Sequence, residues 1–389
     1  MVELLLVAGL LVAAFVGFNI GGSSTGVAFG PAVGSGSVSK TGAAALMTFF
    51  ALLGGATVGT EVIDTMGGRI VPADMFTLAA SVTILFFVGL ALLVSNLFGV
   101  PASTSMTAVG AIAGLGVATG TLDWTVMGQI VSWWIVAPVM AFWVCAMVGR
   151  YLYPYLEASF TLESPGEETT LRERIGTFLV VAIGCYMAFS AGASNVANAV
   201  APLVGSGNLG LWQGVALAGG AIGLGAFTIA RRTLDTVGND LTDLPILAAL
   251  IVEVVSASII TMLSALGIPA SLAVSATMCI VGLGWGRATR TTTLSDAANA
   301  AITGGGERTE MSTGALKAQP EAENAAGESG ADGSGPGTVP KIGEEDPDRL
   351  TAEDLFDPAS TGRVVMLWIM TPTISAVSSY LVFRFLFGG

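Results

Sequence analysis

Histidine is absent from all 389 residues. That absence removes imidazole general bases, histidine metal ligands and histidine proton relays. Charge is scarce as well. Asp, Glu, Lys and Arg make up 11% of the chain, against roughly 25% in a soluble domain. Such a chain cannot dress a water-facing surface. Cysteine is limited to Cys145, Cys185 and Cys279, an odd number, each inside an apolar run. Buried thiols fit that pattern better than a disulfide framework. No G-x-x-x-x-G-K-[ST] stretch occurs, so nucleotide hydrolysis is not the expected energy source. A Cys–His pair is impossible, and acids do not cluster at membrane depth, which disfavours a lipid-processing enzyme. A net charge of −13 leaves no basic footprint for nucleic acid.

What remains is apolar. The hydrophobic fraction is 53%. Residues 4–39, 41–60, 75–122, 124–149, 175–230, 254–286 and 364–383 carry no Asp, Glu, Lys or Arg. A membrane span needs about 20 apolar residues, so several of these runs hold more than one pass. The expectation is an integral, multi-pass protein of the plasma membrane, with roughly eight full spans and several shorter, interrupted segments. The N-terminal run has no basic segment before it and continues straight on, as a first span rather than a cleaved signal peptide.

The apolar chain is also written twice. Residues 21–39 and 192–210 share eight of 19 positions, including Gly21/Gly192, Ser23/Ser194, Pro31/Pro202 and the Gly-Ser-Gly triplets 34–36 and 205–207. The same offset of 171 residues pairs Asp64-Thr65 with Asp235-Thr236. A slip of three pairs Pro101-Ala102-Ser103 with Pro269-Ala270-Ser271. Trp134…Pro138 and Trp368…Pro372 close the two halves. Paired halves with polar interruptions are a transporter signature. The fold class expected is an all-α polytopic membrane protein of two inverted-topology repeats with broken or re-entrant helices.

The repeats set the domain reading. Residues 1–149 form the first repeat, 150–173 a polar linker, 174–290 the first part of the second repeat, and 362–389 its final helix. Between them, 291–361 holds 14 of the 28 acidic residues and is rich in Gly, Ala, Glu and Pro. Such a composition cannot bury enough surface to fold and reads as a disordered acidic loop. It is either a regulatory insert or a solvated loop suited to an acid-rich proteome.

Gly, Pro, Ser, Thr and Asn at 21–36, 101–110, 192–207 and 269–277 are out of place on a lipid-facing helix. Irregular backbone at membrane depth must be buried in protein or line a watery cavity. Half-helix N-termini bind anions through free N–H groups and the helix dipole, hydroxyls add neutral donors, and freed carbonyls can hold a cation. The competing reading is close helix packing through small residues.

These motifs resemble the inorganic phosphate transporter family, the sodium- or proton-coupled phosphate permeases. That family's Gly-Ala-Asn-Asp-Val-Ala-Asn-Ala signature is similar to Gly192–Ala199, and more weakly to Gly21–Ala28. Its Pro-Val-Ser-Thr-Thr-His element is similar to Pro101–Met106 and Pro269–Val274. The resemblance implies an anion held by Ser23, Ser24, Ser103, Thr104, Ser105, Ser194, Asn195 and Ser271, with Asn198 in support. It implies a monovalent cation, sodium or proton, as coupling ion, with sodium at Ser24 and Asn195. It also suggests a homodimer, for which the residues themselves give no warrant. No cofactor is expected. The departures are specific. Ser24 and Asn195 stand where the signature has carboxylates, Ala51 where the family has a glutamate, and Met106 and Val274 where it has histidine.

Glu253 lies inside a predicted span, and an intramembrane carboxylate marks a functional site by default. It couples a cation or proton, or it pairs structurally with Arg231, Arg232 or Arg287. Asp64 and Asp235, each followed by a threonine (Thr65, Thr236), either cap the next helix or line the coupling-ion path. The function expected is gradient-driven secondary transport of inorganic phosphate, by alternating access at the repeat interface. The alternatives are a permease for another tetrahedral oxyanion such as sulfate, and a membrane anion-binding regulator without coupled transport.

Overall fold

A computed structural model describes residues 2–97, 103–159, 171–230, 245–291 and 358–386, which are almost entirely helical, with no strand among them. Asp235, Thr236, Arg231, Arg232, Pro101 and nearly all of the acidic segment lie outside the described residues.

The chain begins with α1 (Val2–Gly34), whose 33 residues run unbroken through the first Gly-Ser motif. Its counterpart α8 (Leu171–Gly205) runs equally unbroken through the second. The sequence predicted interruptions at 21–36 and 192–207. The helices continue because their polar groups turn inward on their own backbone: Ser23 Oγ donates to the carbonyls of Asn19 and Ile20, and Thr25 Oγ1 to Gly21 at 2.6 Å. The Gly-Ser-Gly triplets terminate both helices instead. Gly36 and Gly207 adopt φ of 70° and 72°, a left-handed turn that only glycine enters at no steric cost.

The break falls in the next span. α2 (Lys40–Thr57) and α3 (Gly59–Asp64) meet at Val58, and the axis bends by 62° there. In the second half α9 (Leu211–Thr228) is followed by a turn at Ile229, 171 residues after Val58. The first half continues through α4 (Leu78–Leu97), α5 (Thr104–Thr119), α6 (Trp124–Met147) and the short α7 (Tyr153–Ser159). The second continues through α10 (Ile246–Ala265), α11 (Leu272–Ala288) and α12 (Pro358–Leu386). Among the described residues five helices are long and apolar enough to cross a membrane, or six with the bent α2–α3 pair. Two further apolar helices, α5 and α11, are shorter, at 16 and 17 residues.

Packing exchanges partners between the halves. α1 packs on α9 as α8 packs on α2, and α5 on α12 as α11 on α6. The correspondence holds to the residue. A Cβ on Gly21 would overlap the carbonyl of Ile222, and one on Gly192 that of Ala51. A Cβ on Gly114 would overlap the carbonyl of Ala376, and one on Gly282 that of Phe142. Both glycine pairs keep the offset of their motifs. Helices approach this closely only where a side chain is missing. α1 and α8 run antiparallel: Gly9 meets Leu203 near one end, and Ala28 meets Gly184 near the other.

Candidate functional site

Ser103 caps α5, its Oγ accepting from the Met106 N–H at 3.3 Å. The remaining first-turn N–H groups have no helical acceptor, so this end of α5 is electropositive. α8 crosses beside it. Asn198 Nδ2 donates to Ser105 Oγ and to Asn195 Oδ1, each at 3.1 Å. Ser103, Ser105, Asn195 and Asn198 are all buried. The structure thus brings Ser103, Thr104 and Ser105 together with Asn195 and Asn198.

The chemistry follows from who donates to whom. Ser105 Oγ accepts from Asn198, which leaves its own proton to give. Asn195 Oδ1 is occupied by the same donor, which leaves its NH2 group to donate elsewhere. Ser103 Oγ accepts from backbone, so its proton is also left to give. Neutral donors at a helix N-terminus suit an anion. Asn198 Oδ1 is buried without a partner among the described residues.

The second half repeats the scaffold with fewer polar groups. Ser271 caps α11 and accepts from Val274 N at 3.3 Å. No hydrogen bond joins the first turn of α11 to α1 among the described residues. Val27, the counterpart of Asn198, is 41% exposed. Ser23 is bonded to backbone, Ser24 is half-buried, and Ser194 donates to Ala191 at 3.4 Å. Ser24 and Asn195 lie on opposite sides of the α1–α8 crossing, roughly 10 Å apart along the axis at 1.5 Å per residue.

The N-termini of α5 and α11 converge on one apolar cluster. Met106 and Val274 pack with Trp368, and Trp134 lies against them. A cavity of about 570 Å³ opens beside it, lined by Met106, Trp134, Pro138, Val274, Trp368 and Pro372 among others. Trp134 Nε1 donates to the carbonyl of Pro269 at 2.8 Å, tying α6 to the turn before α11. The repeated Trp-x-x-x-Pro was the signal for these residues, but the sequence did not place them at the helix ends.

The acidic candidates divide. Glu253 is buried on α10, and its side chain makes no hydrogen bond or ion pair among the described residues. The proposed pairing with Arg287 does not occur: Arg287 reaches Glu157 at 3.6 Å. Asp64 is exposed and makes no side-chain cap, while Thr65 is buried and accepts from Arg69 Nη1 at 3.4 Å. No group of three or more metal-binding side chains occurs among the described residues.

Comparison with known proteins agrees with this architecture. The phosphate transporter family matches residues 20–379. Sulfate permease CysP of Bacillus subtilis (strain 168) is 33% identical over 278 residues, covering 71% of this chain and 76% of that one. A solved structure described as the sodium-dependent phosphate transporter superposes with a TM-score of 0.69 at 17% identity, covering 98% of both chains, which shows the shared fold. With its helical spans and a family match over most of its length, this is an integral multi-pass membrane protein that belongs to the phosphate transporter family.

Proposed function

We propose that the protein is a secondary transporter that carries a tetrahedral inorganic oxyanion across the plasma membrane, inorganic phosphate in the first reading. The observation that carries this is the meeting of the α5 N-terminus with Asn195 and Asn198, a buried set of neutral donors on a positive helix end. The matched contacts and the antiparallel course of α1 and α8 support two inverted repeats. Alternating access is then a rocking of the α5–α12 pair against the α6–α11 pair across the cavity between them.

Coupling falls to Glu253, whose buried, unpartnered carboxyl needs a proton or a cation. Asp64 and Thr65, at the end of the broken α2–α3 span, are the candidates for the coupling-ion path in the described residues. Sodium at Ser24 or Asn195 would find hydroxyl, amide and carbonyl oxygens rather than carboxylates. Such a site binds weakly, so sodium dependence is expected only at high concentration.

A specific observation favours sulfate as the second reading. Ser24 and Asn195 replace carboxylates that would accept the proton of phosphate, and losing them suits an anion that carries no proton at neutral pH. The likeness to a sulfate permease supports the same reading.

Uptake of radiolabelled phosphate and of radiolabelled sulfate into proteoliposomes, under an imposed sodium or proton gradient, separates these. Gradient-driven phosphate uptake that excess sulfate leaves untouched supports the first reading. Sulfate uptake that phosphate fails to suppress supports the second. Anion binding with no accumulation under either gradient rejects coupled transport and leaves a regulatory anion-binding protein.

A further inference from the structure

The two Trp-x-x-x-Pro motifs match in sequence but not in bonding. Trp134 gives its indole N–H to Pro269. Trp368, its counterpart, is 8% exposed, and its Nε1 has no partner among the described residues. The position matching Pro269 in the first half is Pro101, outside the described residues. An indole nitrogen can only donate, so whatever completes it must bring an acceptor.

Its place in the fold says which acceptor. Trp368 packs on Met106 and Val274, the residues whose N–H groups Ser103 and Ser271 cap. A helical side chain leans toward the N-terminus of its own helix, so Met106 and Val274 both lean toward the helix ends. Trp368 therefore lies where the positive ends of α5 and α11 converge. We propose that Trp368 Nε1 is a ligand of the transported oxyanion, completing the donor set at the α5 end. This rests on reading the site as an oxyanion site.

The mounting of Trp368 fits the role. α12 is fastened to α5 by Ser375 Oγ donating to Thr107 at 3.0 Å and Ser379 Oγ donating to Ala111 at 2.6 Å. A Cβ on Gly110 would meet the Pro372 carbonyl at 2.6 Å, which keeps the helices in direct contact. Trp368 thus travels with Ser103, Thr104 and Ser105 as one body, whereas Trp134 is bound to the turn before α11. One indole serves the scaffold and the other the cargo.

Trp368→Phe keeps one aromatic ring and deletes the donor with the rest of the indole. The test is equilibrium binding of radiolabelled phosphate and sulfate to the purified full-length protein, with transport KM and Vmax in proteoliposomes and the thermal midpoint without anion. Trp368→Phe is expected to weaken binding of the transported anion about tenfold or more, the scale of a lost hydrogen bond to a charged group. KM should rise with it, and the anion-free midpoint should fall no further than the loss of buried ring volume requires. Trp134→Phe loses the bond to Pro269 as well as ring volume, so it is expected to lower the midpoint further and to leave affinity within about twofold. Wild-type affinity in Trp368→Phe overturns the proposal, as does a lowered midpoint with affinity unchanged. Should Trp368→Phe fail to fold, benzothienylalanine at 368 replaces the N–H with sulfur in the same shape, and the same two outcomes decide. Wild-type protein that binds neither anion overturns the oxyanion reading and this proposal with it.

Discussion

Gly21 meets Ile222 just as Gly192 meets Ala51, yet Val27 sits where α8 carries Asn198. The two halves keep the contacts that hold backbones together and part company in the polar groups near the helix ends. At the α5 end, Asn198 bridges Ser105 and Asn195. At the α11 end, Ser271 caps its helix and no hydrogen bond crosses to α1 among the described residues. Packing constraints act on both halves alike because each half packs against the other. Binding constraints do not, because one anion needs one complete set of donors. The proposed site is therefore lopsided on a scaffold whose glycine contacts are matched.

The largest effect should fall equally on both halves. Gly21→Ala and Gly192→Ala each place a Cβ into a facing carbonyl, so the helices must separate along their length. Overpacking costs about 1–3 kcal/mol in ordinary cores, and a backbone neighbour that cannot yield puts both changes at the top of that range. Size-exclusion profiles of detergent-extracted protein should show loss of the monodisperse peak for both. A half that tolerates the change would break the scaffold equivalence.

Next comes Glu253→Gln. With the three-residue slip, the matching position in the first half is Leu85, which is fully buried and apolar. The glutamine keeps the shape and removes the ionisable group. Gradient-driven accumulation should be abolished while expression and membrane insertion persist. Undiminished uptake would reject a coupling role and leave the two halves alike in this respect.

Asn198→Val writes the first half's residue into the second. It removes the donor to Ser105 and Asn195 and strands both acceptors in a buried place, at a cost of about 1–3 kcal/mol. KM for the anion should rise about tenfold or more, while Val27→Ala should leave it unchanged. Equal effects of the two changes would show that the site is symmetric after all.

Much of this was legible in the sequence, and what was not has a physical cause. The repeat and the apolar spans were readable because periodic burial leaves local marks, whereas Ser103 and Ser271 were named as anion ligands by resemblance and only the structure shows them capping α5 and α11. The breaks were misplaced. Gly, Ser and Pro at 21–36 and 192–207 look like irregular backbone, but their purpose is contact with a partner helix from the other half, and that partner is invisible along the chain. The true bend at Val58 carries no proline and only a following glycine. Asn198 was legible as a supporting residue, but its bridging of Ser105 was not, since 93 residues separate the two. The unmet donor of Trp368 had no sequence signal beyond its repeated motif.

The smallest expected effect is the sharpest test of lopsidedness. Ser103→Ala and Ser271→Ala each remove one N-cap, worth about 1 kcal/mol of stability in either half. Thermal midpoints should therefore fall by similar amounts. Transport should not follow them equally. At α5 the lost hydroxyl also takes away a donor next to Ser105 and Asn198, so KM should rise several-fold. At α11 the same loss costs the cap, and the anion still finds its complete donor set in the other half. Matched midpoints with KM raised only in Ser103→Ala would separate scaffold from site within a single pair of equivalent residues. A KM raised equally in both would mean that the anion sits midway between the two helix ends, and that the bridge made by Asn198 orders α8 rather than the cargo.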